Sequence, residues 1–284
     1  MDNLRTGRLE YLQAAHHSPR FRFVRGDITD EPFLAGLFER ERFRGVLHLA
    51  ALVSVAESIR EPALNFHLNL AATDVVARLC LRYGCRRMVF ASSAAVYGDA
   101  TCLPIVESLQ PQPLSPYGAA KLASEDLLLG YHASYGLETV CLRYFNVYGP
   151  GQDPRSPYSE VLSIFSRRFR GGLPVTVYGN GEQTRDFVSV HDVATANMQA
   201  LTADQALSGV YNLCTGRGAS LKQVLAVYFS AYPQAPAVLY AERRPGDILH
   251  SVGDPHRALE ALGIEARTEL ASGLRELIDW EGEA

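Results

Sequence analysis

Four short runs rich in β-branched and aromatic residues, RFRFVRGD (20–27), GVLHLAAL (45–52), RRMVFASS (86–93) and ETVCLRYFNVYG (138–149), are separated by longer stretches with apolar residues at helical spacing. This alternation constrains the chain more than any other feature. Strands that alternate with helices pack as a parallel sheet with helices on its faces, so the expected class is α/β. The periodicity predicts helices from about Glu31 to Arg40, Pro62 to Tyr83, Pro116 to Tyr135, Ser159 to Arg170, His191 to Leu201 and Ser220 to Tyr232. After Gly149 the pattern loosens into PGQDPRSPYSE, and the last hundred residues are expected to hold fewer strands and more Pro and Gly turns. A smaller second lobe is expected there.

Composition narrows the partners. A chain of 284 residues, 47% of them apolar and 20% charged, can bury a large core as one big domain or two smaller ones. The net charge of -4 is spread without a basic run, which gives no footprint for nucleic acid or an anionic membrane and points to a small molecule. Five cysteines, an odd number without a Cys-x-x-Cys pair, suggest a reducing compartment. No apolar run approaches the roughly 20 residues of a spanning helix, and MDNLRTGRLE lacks a signal peptide's apolar segment, so the expected location is cytoplasmic. The histidines show no metal-ligand spacing and no metal is expected; His48 reads as a core histidine.

SPYGAAKLASED (115–126) sets Tyr117 and Lys121 one helical turn apart. Such a pair can simply share a helix face, the lysine stem lying over the ring. It can also do chemistry: a tyrosine ordinarily titrates near pH 10, and a catalytic phenolate near neutral pH needs an adjacent positive charge. A second hydroxyl is offered by VFASSAAVYG, which ends a predicted strand with Ser92 and Ser93, where ligands meet open α/β sheets.

In order along the chain come SSAAVYG, SPYGAAK, LRYFNVYGPGQ, GEQTRDFVSVHDVA and RRPGD. This series resembles the extended short-chain dehydrogenase/reductase family of NAD-dependent epimerases and dehydratases, and within it the UDP-sugar 4-epimerases acting on UDP-glucose or UDP-N-acetylglucosamine. The match spans nearly the whole chain. It implies an NAD-binding Rossmann-type doubly wound parallel sheet over 1–149, with 186–214 returning to it, and a smaller α+β substrate lobe over 150–185 and 215–284. A homodimer through the helices at 62–83 and 116–135 is implied as well.

The resemblance also implies roles. Tyr117 would take the proton from the sugar 4-hydroxyl as the C4 hydride passes to NAD, Lys121 would lower the tyrosine pKa and bind the nicotinamide ribose, and Ser93 would hydrogen-bond O4. Rotation of the 4-keto sugar would let the hydride return to the opposite face. Asn146, Arg185 and Arg244 would hold the diphosphate. Tyr144 would lie near the nicotinamide; Asp27 and Ile28 would meet the adenine, Leu49, Ala50 and Ala51 would pass beneath the cofactor, and Asn69 would belong to the same site. Ser251, four residues beyond Asp247, would border the sugar's 2-substituent, and its small side chain leaves room for an N-acetyl group. Dehydratases carry an Asp-Glu pair after the serine; Ala94 and Ala95 stand there, which disfavours dehydration.

One family feature is absent from the sequence. No Gly-x-x-Gly-x-x-Gly turn is present, and MDNLRTGR resembles the segment after the family's second strand, so that Asp2 and Asn3 would hold the adenosine ribose. The first βα unit is therefore expected to be missing, with poor folding and weak NAD binding as consequences and a misassigned start as the explanation. The alternatives are a non-catalytic remnant that at most binds a nucleotide sugar, or another epimerase or dehydratase of the same family.

Overall fold

The computed structural model describes residues 1–152, 161–243 and 248–283. Its strands are β1 Gly45–His48, β2 Arg87–Ser93, β3 Glu138–Tyr144, β4 Asn146–Tyr148, β5 Val175–Tyr178, β6 Thr184–Ser189, β7 Gly209–Leu213, β8 Gly218–Ser220, β9 Val238–Ala241 and β10 His250–Ser251. The helices that build the cores and the site are α1 Glu31–Glu41, α2 Val55–Arg60, α3 Ala72–Arg82, α4 Pro116–Tyr135, α5 Val161–Arg170, α6 Val190–Thr202, α7 Leu221–Ala231, α8 His256–Leu262 and α9 Leu270–Glu283. A short turn Pro62–Asn65 and a π-helical turn Phe66–Ala71 lead into α3, so the helix expected over 62–83 carries a π-bulge in its first half.

The main sheet has the order β1-β2-β3-β7, all parallel. Its strands read as apolar runs because both faces are covered. Along β2, Met88 and Phe90 point into a core with Leu34 and Phe38 of α1, Val76 of α3 and Leu128 of α4. Val89, between them, joins Val140 and Leu142 of β3 and Val193 and Ala196 of α6 on the opposite face. A two-sided apolar sheet of this kind is what the α/β reading requires.

A second core gathers Leu162, Phe165 and Phe169 of α5, Val175 and Val177 of β5, Val224 and Tyr228 of α7 and Leu274 of α9. Between the two cores runs a short sheet of order β10-β6-β4, with β8 antiparallel to β6. Helix α8 places Ala258 and Leu262 in the first core, whereas the expected boundaries put all of 215–284 in the smaller lobe.

Three expectations need correction. The run at 20–27 forms no strand; a single bridge between Asp2 and Arg25 is all that it makes. A strand needs a neighbour for its N–H and C=O groups, and the outer edge of β1 faces a cavity of about 480 Å³ lined by Leu34, Leu37, Phe38, Val46 and His48. The run at 138–149 splits at Phe145: its N–H makes the last ladder bond to β7, on the Leu213 carbonyl at 3.1 Å, and from Asn146 the chain pairs with β6 instead. The last hundred residues are not strand-poor: they hold most of β6, and β7 to β10 all begin within them.

Candidate active site

Two sequence signals fix the start of α4. Ser115 accepts the Gly118 N–H at 3.1 Å as N-cap, and Pro116 takes the first helical position, where no N–H is required. Gly118 then allows a close approach. A Cβ there would lie 2.6 Å from the Ala95 carbonyl oxygen, so no larger residue lets the helix abut the turn Ala94–Val96 that follows Ser93. This contact brings Tyr117 to the strand end carrying Ser93, and both side chains are half-buried.

Buried polar groups hold Tyr117 from the other side. Its N–H donates to Ser58 Oγ at 3.1 Å, and the Pro116 carbonyl accepts from Asn65 Nδ2 at 2.9 Å. Ser58 and Asn65 are buried. Lys121 is buried too, its ammonium donating to the Ala91 carbonyl at 2.8 Å and lying 4.7 Å from the Phe90 ring centroid and 5.9 Å from that of Tyr117. Burial pulls its pKa down to about 8, while Glu125 opposes the fall. His48, buried against Thr73 at 3.1 Å, is pushed down to about 3 by burial and is neutral.

The two serines of SSAAVYG differ in what they can do. Ser92 is buried and donates to Glu125, whereas Ser93 has its Oγ on the Ala95 N–H at 3.2 Å, at the rim of the sheet. Ser93 pairs in register with Tyr144, whose hydroxyl donates to Asn197 Oδ1 at 2.7 Å. Burial raises that phenol's pKa. Asn146 follows two residues later as the first residue of β4, opposite Phe187 of β6.

Arg185 and Ser251 are register partners across β6 and β10. The Arg185 guanidinium donates to the carbonyls of Thr184 at 2.9 Å and Ile248 at 2.8 Å, which ties it to the segment leading into β10. The Asp186 carboxylate accepts N–H groups from Thr215, Gly216 and Gly253, fixing the crossing of these strands. Arg244 lies outside the described residues.

Beyond the C-terminal end of β1, a cavity of about 180 Å³ is lined by Asp2, Asn3, Ile28, Leu49, Ala50 and Ala51. Asn3 Nδ2 donates to Asp27 Oδ2 at 2.7 Å, and Thr29 supplies its N–H and hydroxyl to the other oxygen. These bonds, the Thr29 N–H foremost, hold Asp27 below the usual carboxylate range. Asn69, expected here, is buried one layer behind: its amide exchanges two hydrogen bonds with the Leu52 backbone and accommodates Asn65, so it shapes the loop that forms the cavity wall.

Thus fourteen of the fifteen described positions named from sequence fall into three groups, the Tyr117 helix with the ends of β2 and β3, the Arg185–Ser251 pair and the rim beyond β1, with Asn69 behind the rim. Sequence reading missed Ser58, Asn65, Glu125 and Arg143. Spacing could have shown Glu125, which repeats the Tyr117–Lys121 step of four residues on one helix face. Nothing local marks Ser58 or Asn65.

The sequence model described as the NAD dependent epimerase/dehydratase family matches residues 2–214. The UDP-glucose 4-epimerase of Mycolicibacterium smegmatis is 33% identical over 282 residues, covering 99% of this chain and 89% of the relative. The UDP-N-acetylglucosamine 4-epimerase from Methanobrevibacter ruminantium, solved with UDP-N-acetylmuramic acid, superposes with a TM-score of 0.93 at 34% identity, over 99% of this chain and 89% of that one. The Thermus thermophilus UDP-glucose 4-epimerase, solved with NAD, gives 0.88 at 37% identity over 100% and 90%. The chain belongs to the NAD-dependent epimerase/dehydratase family.

Proposed function

We propose that this protein is an NAD-dependent UDP-hexose 4-epimerase that works through a 4-keto sugar. The observation that carries the reading is the delivery of Tyr117 against the Ser93 turn, made possible by Gly118, with the buried Lys121 one turn beneath. The named activity of the relatives supports it.

The cavity beyond β1 fits the adenosine end of NAD. Asp2 and Asn3 offer acceptors suited to ribose hydroxyls, and Ile28, Leu49, Ala50 and Ala51 offer apolar walls for a flat base. When bound, NAD accepts and returns the C4 hydride. Tyr117 takes the proton of the 4-hydroxyl and gives it back; Lys121, as an ammonium, stabilises the phenolate; Ser93 hydrogen-bonds O4 once its Oγ turns from the Ala95 N–H. Tyr144, Ser93's register partner, borders the same place, with Asp27 and Asn69 bracing the cofactor loops. Asn146 and Arg185 hold the diphosphate, together with Arg244.

Ser251 beside Arg185 leaves room at the sugar's 2-position, so UDP-N-acetylglucosamine and UDP-N-acetylgalactosamine are substrates alongside UDP-glucose and UDP-galactose. The sheet-bearing half of the chain is the cofactor domain, and the core around α5 and α7 is the substrate lobe. Exposed Ile59 and Phe66, on the helical layer before α3, give a homodimer an apolar face to cover. No described helix is long and apolar enough to cross a membrane. A cytoplasmic location completes the proposal.

Incubating the full protein with NAD and UDP-galactose tests the reading. Approach to a mixture with UDP-glucose is expected. No conversion of either the acetylated or the unacetylated pair overturns it.

A further inference from the structure

Helix α4 carries three functional groups at four-residue steps, Tyr117, Lys121 and Glu125, and the function proposed above uses only the first two. Glu125 is 1% exposed, and its carboxylate is fully engaged. Oε1 accepts from Ser92 Oγ and from Arg143 Nε at 3.0 Å; Oε2 accepts from Arg143 Nη2 at 2.6 Å. Arg143, on β3, is buried as well, with its guanidinium 4.6 Å from the Tyr97 ring centroid. The Tyr97 hydroxyl donates to Asn212 Oδ1 at 2.6 Å on β7.

Folding does not require this arrangement. An interior ion pair gives up hydration that its attraction barely returns, and apolar residues of the same volume often serve stability as well or better. Its position suggests what it does instead. Ser92 is the residue before Ser93, so the Ser92–Glu125 bond ties the strand end with the substrate hydroxyl to the helix with Tyr117 and Lys121.

The charges around Lys121 point the same way. From β1 it meets His48, neutral because burial holds its pKa at about 3; from β3, Cys141, a thiol that burial keeps protonated, while the cation Arg143 of β3 sits on the Glu125 carboxylate. On α4 itself stand Tyr117, the exposed Asp126 and Glu125. Among the described residues, Glu125 is the buried anion in this set, and it sustains the protonated form of Lys121 against burial.

We propose that Glu125 is a positioning residue of this site: from one turn beyond Lys121, its carboxylate locks the Ser92–Ser93 strand end to the catalytic helix and supplies the negative charge that faces the buried ammonium. The proposal rests on the epimerase reading for its kinetic consequence, and its charge assignment rests on the four-residue step that sets Glu125 on the Lys121 face of α4 together with the opposition of Glu125 to the fall in the Lys121 pKa.

The test replaces Glu125 with glutamine, which keeps shape and removes charge, and pairs it with Ser92→Ala, which keeps every charge and removes the tie. Lysine labelled at Cε with carbon-13 reads the Lys121 titration by NMR, independent of turnover. For Glu125→Gln the Lys121 midpoint is expected to fall by about one pH unit or more, a tenfold change in protonation equilibrium. kcat should drop about tenfold with KM changed less than about twofold, and the alkaline limb of kcat should move down with the midpoint. Ser92→Ala should lower kcat a few-fold, on the order of one lost hydrogen bond to a charged group, and leave the limb in place. An unmoved Lys121 midpoint in Glu125→Gln overturns the charge assignment. If that variant does not fold, Ser92→Ala decides: wild-type kcat there overturns the proposal. Absence of turnover in the wild type with a shifted Lys121 midpoint in the variant would sink the epimerase reading and leave the charge assignment standing.

Discussion

The face of α4 and the rim formed by residues 1–53 both carry residues assigned to the site, and they are built in opposite ways. On α4, Lys121 and Glu125 are buried, and Tyr117 is braced through its backbone by Ser58 and through its neighbour by Asn65. At the rim, Asp2, Asn3, Leu49 and Ala50 are exposed, and Asp2 and Asn3 are held by turns, Leu4 N–H on Asp2 and Arg5 N–H on Asn3, and by single links to the loop at 25–27. The contrast teaches where precision is needed. Proton transfer tolerates little displacement, whereas a cofactor's adenosine end needs affinity and can be met by a loop.

This contrast can be broken most strongly at Tyr117. Tyr117→Phe keeps the ring and removes the proton acceptor, so kcat should fall by at least about 10²-fold with nearly unchanged substrate binding. A near-normal rate would refute the assignment. Gly118→Val comes next. With 2.6 Å between a Cβ and the Ala95 carbonyl, the helix must retreat from the Ser93 turn, and kcat should drop about tenfold or more in a protein that remains folded by circular dichroism.

Ser251→Tyr sharpens the comparison on the substrate side. A ring at this register partner of Arg185 should cut kcat/KM for the N-acetylated pair by about tenfold or more while sparing the unacetylated pair. Equal losses on both would remove Ser251 from the site. The pH profile reads Lys121 directly: its folded pKa is lowered to about 8, so it is an ammonium below that pH and an amine above it. Activity that depends on the ammonium should therefore decline as pH rises through about 8. Smallest of all, Asn3→Ala at the rim should weaken NAD about two- to tenfold through one lost hydrogen-bonding side chain, with kcat at saturating NAD unchanged. An equal fall in kcat would show that the rim also positions chemistry.

Much of this was legible in the sequence where local signals and periodicity agree. Helix Pro116–Tyr135 has its expected limits because Ser115 caps it, Pro116 opens it and Gly136, at φ 73°, closes it in the left-handed conformation. Strand β2 was readable because both faces are apolar. The run at 20–27 shows the limit of propensity: its residues favour strand, but only a neighbouring edge can make one. Strands of two to four residues, such as β5, β8 and β10, are too short for alternation to register. Ser58 and Asn65 were invisible because their partners lie 59 and 51 residues away along the chain. Asn69, expected in the cofactor site, lies one layer behind the cavity, where its bonds go to Leu52 and Asn65.

The most direct test is proton NMR of UDP-galactose incubated with the full protein and NAD in deuterium oxide. The account predicts that UDP-glucose signals grow in with the C4 proton retained, since the hydride leaves and returns without meeting solvent while Tyr117 exchanges only the hydroxyl proton. Absence of UDP-glucose, or deuterium at C4 of the product, would contradict it.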